Sequence, residues 1–201
     1  AEKLQALLGR TTDTSFNMIT VDGDTSTNDM VVVMANGLAE HESLHESHAD
    51  WGHFAAAFEY VCQELAKKIA RDGEGATKLI EVHVDGASTV EAARAIAKTV
   101  VGSSLVKSAA FGADANWGRI VMAIGKAGHK MNPNTVDIRI GDFVTLQQSR
   151  PIAFDEEQAM EYLKGDFVRI DIHLHDGQAH ATAWGCDLTY EYVRINAAYR
   201  T

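Results

Sequence analysis

Val168-Arg-Ile-Asp-Ile-His-Leu-His-Asp-Gly177 alternates apolar and polar residues and then breaks at Asp-Gly. Successive side chains of a strand point to opposite faces, so Val168, Ile170, Ile172 and Leu174 share one face and Arg169, Asp171, His173 and His175 the other. Asp176-Gly177 is a strong turn signal, and Ala181 and Ala183 resume the alternation, which predicts a hairpin. In that hairpin His173 lies directly opposite His180, with His175 diagonal to the pair on the same face. Three imidazoles could then converge on a metal, although Asp171, Arg169 and Thr182 on that face suit plain solvent exposure.

Outward from this hairpin, strands and helices interleave. Leu79 to Val84 alternates like a strand, and Val136 to Ile140 and Phe143 to Leu146 flank a Gly141-Asp142 turn. The longest helical pattern starts after Asp50: Trp51, Phe54, Phe58, Val61, Leu65 and Ile69 form one stripe, predicting a core-facing helix that stops near Asp72-Gly-Glu-Gly75. Ser88 or Thr89 caps a helix over 90–101, which Gly102 breaks; shorter helices are expected over 103–110, 117–125 and 155–163. Leu4, Leu7 and Leu8 mark a helix over 2–9, and 16–22 reads as extended. Ser26, Thr27 or Asn28 can cap an apolar segment from Met30 to Asn36 that Gly37 ends, and 38–50 is a polar, His-rich loop. This interleaving predicts an α/β fold of layered α+β type, with 1–201 as a single unit.

Composition narrows the partners. A net charge of −10, from 28 acidic and 18 basic residues, argues against nucleic acid and against an anionic membrane surface. No apolar run reaches bilayer-spanning length. Two cysteines far apart, Cys62 and Cys186, in a chain large enough to bury a core fit a reduced, cytoplasmic setting.

Short motifs give candidates and bland alternatives. His41-Glu-Ser-Leu-His45 matches the zinc-hydrolase spacing, with Glu42 as base, but Glu40, Ser43, Glu46 and Ser47 around it suit a solvated loop. Asp22-Gly-Asp-Thr-Ser-Thr-Asn28 starts like a calcium loop and then lacks the required Gly and Glu. Gly73-Glu-Gly-Ala-Thr-Lys78 lacks the phosphate-loop arrangement. Cys186 reads as a packed thiol rather than a nucleophile. Glu74 is a lone carboxylate between two glycines, placed either to meet an ammonium group or to decorate an ordinary turn.

Five segments together resemble the ornithine acetyltransferase (glutamate N-acetyltransferase) family. They are Ile19-Thr-Val-Asp-Gly-Asp-Thr-Ser-Thr-Asn-Asp29, Ala70-Arg-Asp-Gly-Glu-Gly-Ala-Thr-Lys78, Gly112-Ala-Asp-Ala-Asn-Trp-Gly-Arg119, Trp184-Gly-Cys-Asp-Leu-Thr-Tyr190 and Tyr192-Val-Arg-Ile-Asn-Ala-Ala-Tyr-Arg-Thr201. The resemblance implies the β chain of a precursor that cuts itself before a threonine, which then serves as nucleophile. It implies acetyl transfer from N-acetylornithine to glutamate in arginine biosynthesis, with acetyl-CoA as a further candidate donor and no bound cofactor or metal. It implies an α chain from the same precursor as partner, in a heterotetramer of two α and two β chains. By the family's spacing the nucleophile lies about a dozen residues before Ala1, so no catalytic residue is assigned here. Three substrate-binding positions carry over: Glu74, Asn196 and Thr201.

Overall fold

The computed structural model describes residues 1–198. Its centre is one seven-stranded mixed sheet, β1 (Ile19–Thr20), β2 (Leu79–Ala87), β3 (Asp137–Ile140), β4 (Phe143–Gln147), β5 (Arg150–Pro151), β6 (Phe167–His173) and β7 (Ala179–Cys186). The strands stand in the order β1-β7-β2-β6-β3-β4-β5. The helices are α1 (Glu2–Thr14), α2 (Trp51–Arg71), α3 (Val90–Val101), α4 (Ser104–Phe111), α5 (Trp117–Lys126), α6 (Glu156–Leu163) and α7 (Tyr190–Ala198). This is the expected α/β class.

One face of the sheet is apolar for the reason the alternation gives. Ile80, Val82 and Val84 of β2, Ile170 and Ile172 of β6, and Ile138 and Ile140 of β3 are all buried. Ala93, Ile96, Ala97 and Val100 of α3 and Ile120, Ala123 and Ile124 of α5 join the same core. Small residues let α3 sit close, and its N-cap Thr89 accepts a hydrogen bond from the Ala92 amide at 3.1 Å.

The predicted hairpin is corrected. β6 and β7 do not pair; β2 lies between them, parallel to β6 (Val82 beside Ile170) and antiparallel to β7 (Val82 beside Ala183). The Asp176-Gly177 turn therefore passes over the end of β2, and both of its amides donate to the Gly86 carbonyl, at 2.7 and 2.9 Å. A Cβ on Gly177 would lie 2.4 Å from the Ala87 carbonyl oxygen, so this turn needs glycine for close approach. Alternation determines which face a residue takes and says nothing about which strand sits alongside.

Two helical expectations also change. In α2 the buried residues are Cys62, Ala66 and Ala70, while Val61, Leu65 and Ile69 are 53%, 48% and 52% exposed. The small stripe is the buried one; of the large stripe Trp51, Phe54 and Phe58 are half-buried and the rest faces outward. Residues 30–36 form neither helix nor strand; Val31, Val32 and Val33 in a row disfavour helix through their stiff side chains. Residues 16–18 form a short 3-10 turn rather than extended chain.

Candidate functional site

The turn that carries Glu74 follows the end of α2, where the Asp72 amide closes the helix onto the Lys68 and Ile69 carbonyls. Gly75 takes φ +66°, and a Cβ there would lie 2.5 Å from Cβ of Glu191, so the first turn of α7 rests directly on it. Thr189 strengthens the seat: its hydroxyl donates to the Gly75 carbonyl at 2.8 Å and accepts from the Glu191 amide at 3.2 Å.

Asp187 ties down the other side of the turn. Its buried carboxylate accepts from the Thr77 amide at 2.8 Å, the Lys78 amide at 2.9 Å and the Thr77 hydroxyl at 2.5 Å. Lys78 runs beneath, and its ammonium donates to the carbonyls of Ala110 and Leu163 at 2.8 and 2.5 Å, satisfying the C-terminal ends of α4 and α6. Burial pulls the Lys78 ammonium below its ordinary range, partly offset by the charge of Asp187. A second buried lysine, Lys107 of α4, donates to the carbonyls of Val21 and Cys186, both at 2.5 Å.

The rim is acidic. Tyr192 of α7 donates its hydroxyl to Asp22 at 3.0 Å. Burial, that hydrogen bond and the nearby charges of Asp22, Glu74 and Asp24 all push its phenol up, so it stays a neutral donor. Glu74 itself is exposed. Burial raises the Cys186 thiol, with the Lys107 charge pulling the other way. Cys186 is thus a buried thiol and not a ready nucleophile, as the sequence suggests. An exposed carboxylate beside two further acids and a neutral phenol favours a cationic, hydrogen-bonding ligand such as an ammonium group.

Of the three residues carried over by resemblance, Glu74 occupies this turn and Asn196 lies on α7, one turn beyond Tyr192, whose carbonyl accepts from its side-chain amide at 3.0 Å. Thr201 lies outside the described residues. Asp187, Lys107 and Tyr192 were not singled out in the sequence, and Asp22 was weighed only as the start of a calcium-type loop. The available signal was that Lys107 is the one charge in the apolar helix α4.

The metal readings lose their geometry. His41, Glu42 and His45 sit in an exposed loop without helix, with the His41 ring bonded to the Glu42 carbonyl and the His45 ring to Ser47. The His173 and His175 rings do lie side by side, 4.0 Å apart, each on a carboxylate, Asp85 at 3.1 Å and Asp137 at 2.8 Å, but the inserted β2 removes His180, whose ring neighbour is His83 at 6.3 Å. A separate open trough on the polar face of the sheet is lined by His83, Asp85, Arg139, Arg169, Asp171 and His173. It contains none of the carried-over residues.

Comparison with known proteins decides the relationship. The ArgJ family model matches residues 1–201. The chain belongs to the ArgJ family. It is 60% identical over 199 residues to the arginine biosynthesis bifunctional protein ArgJ of Halalkalibacterium halodurans, covering 98% of this chain and 48% of that protein. The ArgJ of Geobacillus kaustophilus is 60% identical over 190 residues, 94% of this chain and 46% of that one. The chain thus spans about half the length of these relatives. The crystal structure of ArgJ from Bacillus halodurans superposes with a TM-score of 0.97 at 59% identity, covering 98% of this chain and 93% of that one. The α/β sheet with β2 between β6 and β7 is thus that of an ArgJ family chain of nearly the same length.

Proposed function

We propose that this chain is the C-terminal, β part of an ornithine acetyltransferase of arginine biosynthesis. The observation that carries the reading is the shared seat of two substrate-binding candidates: Gly75 and Asp187 hold the Glu74 turn against the start of α7, the helix that carries Asn196. That corner suits an amino-acid derivative with a free ammonium.

The chemistry follows in two balanced steps. The hydroxyl of a threonine preceding this chain attacks the acetyl carbonyl of N-acetylornithine; the C–N bond breaks, and ornithine leaves with the proton on its amine. The α-amine of glutamate then attacks the threonyl ester, the C–O bond breaks, and the threonine regains its proton. Glu74 pairs with the side-chain ammonium of the ornithine moiety, which glutamate lacks, and Asn196 offers both donor and acceptor to the rest of the ligand. Thr201 joins them as a third binding residue. No cofactor is needed, and acetyl-CoA serves as co-substrate where glutamate is acetylated directly.

We place the α chain of the same precursor beside it, two αβ pairs making the assembly. Supporting this, the curated relatives are about twice as long as the matched region, whereas the crystallised relative is a chain of nearly this size. The outward stripe Val61, Leu65 and Ile69 supplies apolar surface for such a partner. We place the protein in the cytoplasm: both cysteines are free, and no described helix is long and apolar enough to cross a membrane.

Transfer of labelled acetyl from N-acetylornithine to glutamate by the full-length protein tests the reading. Glu74→Gln should raise the KM for N-acetylornithine about tenfold or more, the worth of one charged hydrogen bond, and leave the KM for glutamate within about twofold. Absence of transfer by the intact protein would remove the assignment.

A further inference from the structure

Lys107 is a buried cation that the proposed chemistry does not use. It is 2% exposed, and its partners are two backbone carbonyls and the Cys186 sulfur, at 3.5 Å, rather than a carboxylate. Burying an ammonium is costly unless its donors are engaged, so a methionine would fill this space more cheaply if filling were the task.

What Lys107 joins explains its presence. Val21 directly follows β1, a two-residue edge strand whose register with β7 is only Ile19 beside Trp184 and Thr20 beside Gly185. Cys186 ends β7. Lys107 bolts these two strand ends together where their hydrogen bonding stops, and its own carbonyl accepts from the Leu188 amide at 3.4 Å. Asp22 and Asp187, the residues that follow Val21 and Cys186, are the acids that hold Tyr192 and the 77–78 backbone.

Val21 and Cys186 are also the floor under the Glu74 turn. A Cβ added to Gly73 would lie 2.8 Å from the Cys186 sulfur and 2.9 Å from a Val21 methyl carbon. Gly73 is therefore pressed onto the two residues that Lys107 clamps, with Glu74 next in the chain. We propose that Lys107 is a positioning residue that sets the height and direction of Glu74 through Val21, Cys186 and Gly73. This rests on the reading that Glu74 binds the substrate ammonium.

A double-mutant cycle in the full-length protein tests it, with acyl-enzyme content per chain measured alongside. Lys107→Met should raise the KM for N-acetylornithine about tenfold, with KM for glutamate and acyl-enzyme content within about twofold. In a Glu74→Gln background the same substitution should change the donor KM by less than about twofold, because its target is gone. Should Lys107→Met fail to fold, Gly73→Ala pushes on the same seat with the lysine intact and should give the same pattern. A tenfold rise in both backgrounds, or folded variants with unchanged donor KM, would overturn the clamp alone. A Glu74→Gln variant with unchanged donor KM would remove the substrate reading of Glu74 and the clamp with it.

Discussion

Replacing Asp187 with alanine should detach the Glu74 turn from the sheet. The carboxylate is 3% exposed and accepts three hydrogen bonds, from the Thr77 amide, the Lys78 amide and the Thr77 hydroxyl. Thr77 is exposed, so its hydroxyl can turn to water at little cost. The two amides lose a charged acceptor, each worth about 1.5–3 kcal/mol, for a total of roughly 3–6 kcal/mol. At about 2–4 °C per kcal/mol for a chain of this size, the melting temperature should fall by roughly 6–24 °C. Asp187→Asn keeps one acceptor oxygen and should lose about half as much. Hydrogen exchange gives the local readout: the Thr77 and Lys78 amides should lose protection while those at the centre of β2 keep theirs. A melting temperature within about 2 °C of wild type, with both amides still protected, would refute the claim that Asp187 holds the turn.

Further perturbations address other links. Gly177→Ala places a methyl group 2.4 Å from the Ala87 carbonyl and should cost about 1–3 kcal/mol in a denaturant melt. Changing Val61, Leu65 and Ile69 together to serine touches surface positions and should alter the folding of this chain by no more than about 0.5 kcal/mol each. The same change should weaken assembly of the full-length protein in sedimentation, because the partner then covers hydroxyls instead of about 1–2 kcal/mol of apolar burial per residue. A pH scan tests the polar face of the sheet. Asp85 is held low chiefly by the Gly86 backbone amide, with His173 helping; for Asp137 burial pushes upward, but the Gln148 amide and His175 outweigh it. With both folded-state values depressed, their contribution is complete above the ordinary carboxylate value of about 3.9 and is lost as pH falls through the lower folded values. Melting temperatures between pH 5 and 2 should therefore drop less steeply in an Asp85→Asn, Asp137→Asn double variant.

Local rules carried the sequence reading as far as single elements. The helix over 90–101 was legible, because cap, apolar stripe and Gly102 stop agree at one place; of the two cap candidates, Ser88 and Thr89, the fold uses Thr89. The apolar face of β6 was legible from alternation alone. Its neighbour was not: Asp176-Gly177 signals a turn, and only the long-range choice of β2 as partner on both sides decides that the turn spans an intervening strand. The stripe on α2 was legible as apolar but not as uncovered, since periodicity reports a face and not what lies against it. Glu74 stood out through its flanking glycines. Lys107 and Asp187 did not, because a buried lysine or aspartate looks like any surface charge until the carbonyls and amides it serves are brought to it by the fold. α7 escaped notice for the opposite reason: it buries none of its residues, so no apolar stripe marks it.

The most direct measurement is denaturing intact-mass analysis of the purified full-length protein before and after mixing with N-acetylornithine. An acyl-threonine enzyme predicts two chains of similar size, with one acetyl group added to the chain that begins with threonine and contains this sequence, and loss of that group on adding glutamate. A single uncut chain, or two chains that gain no acetyl group, would contradict it.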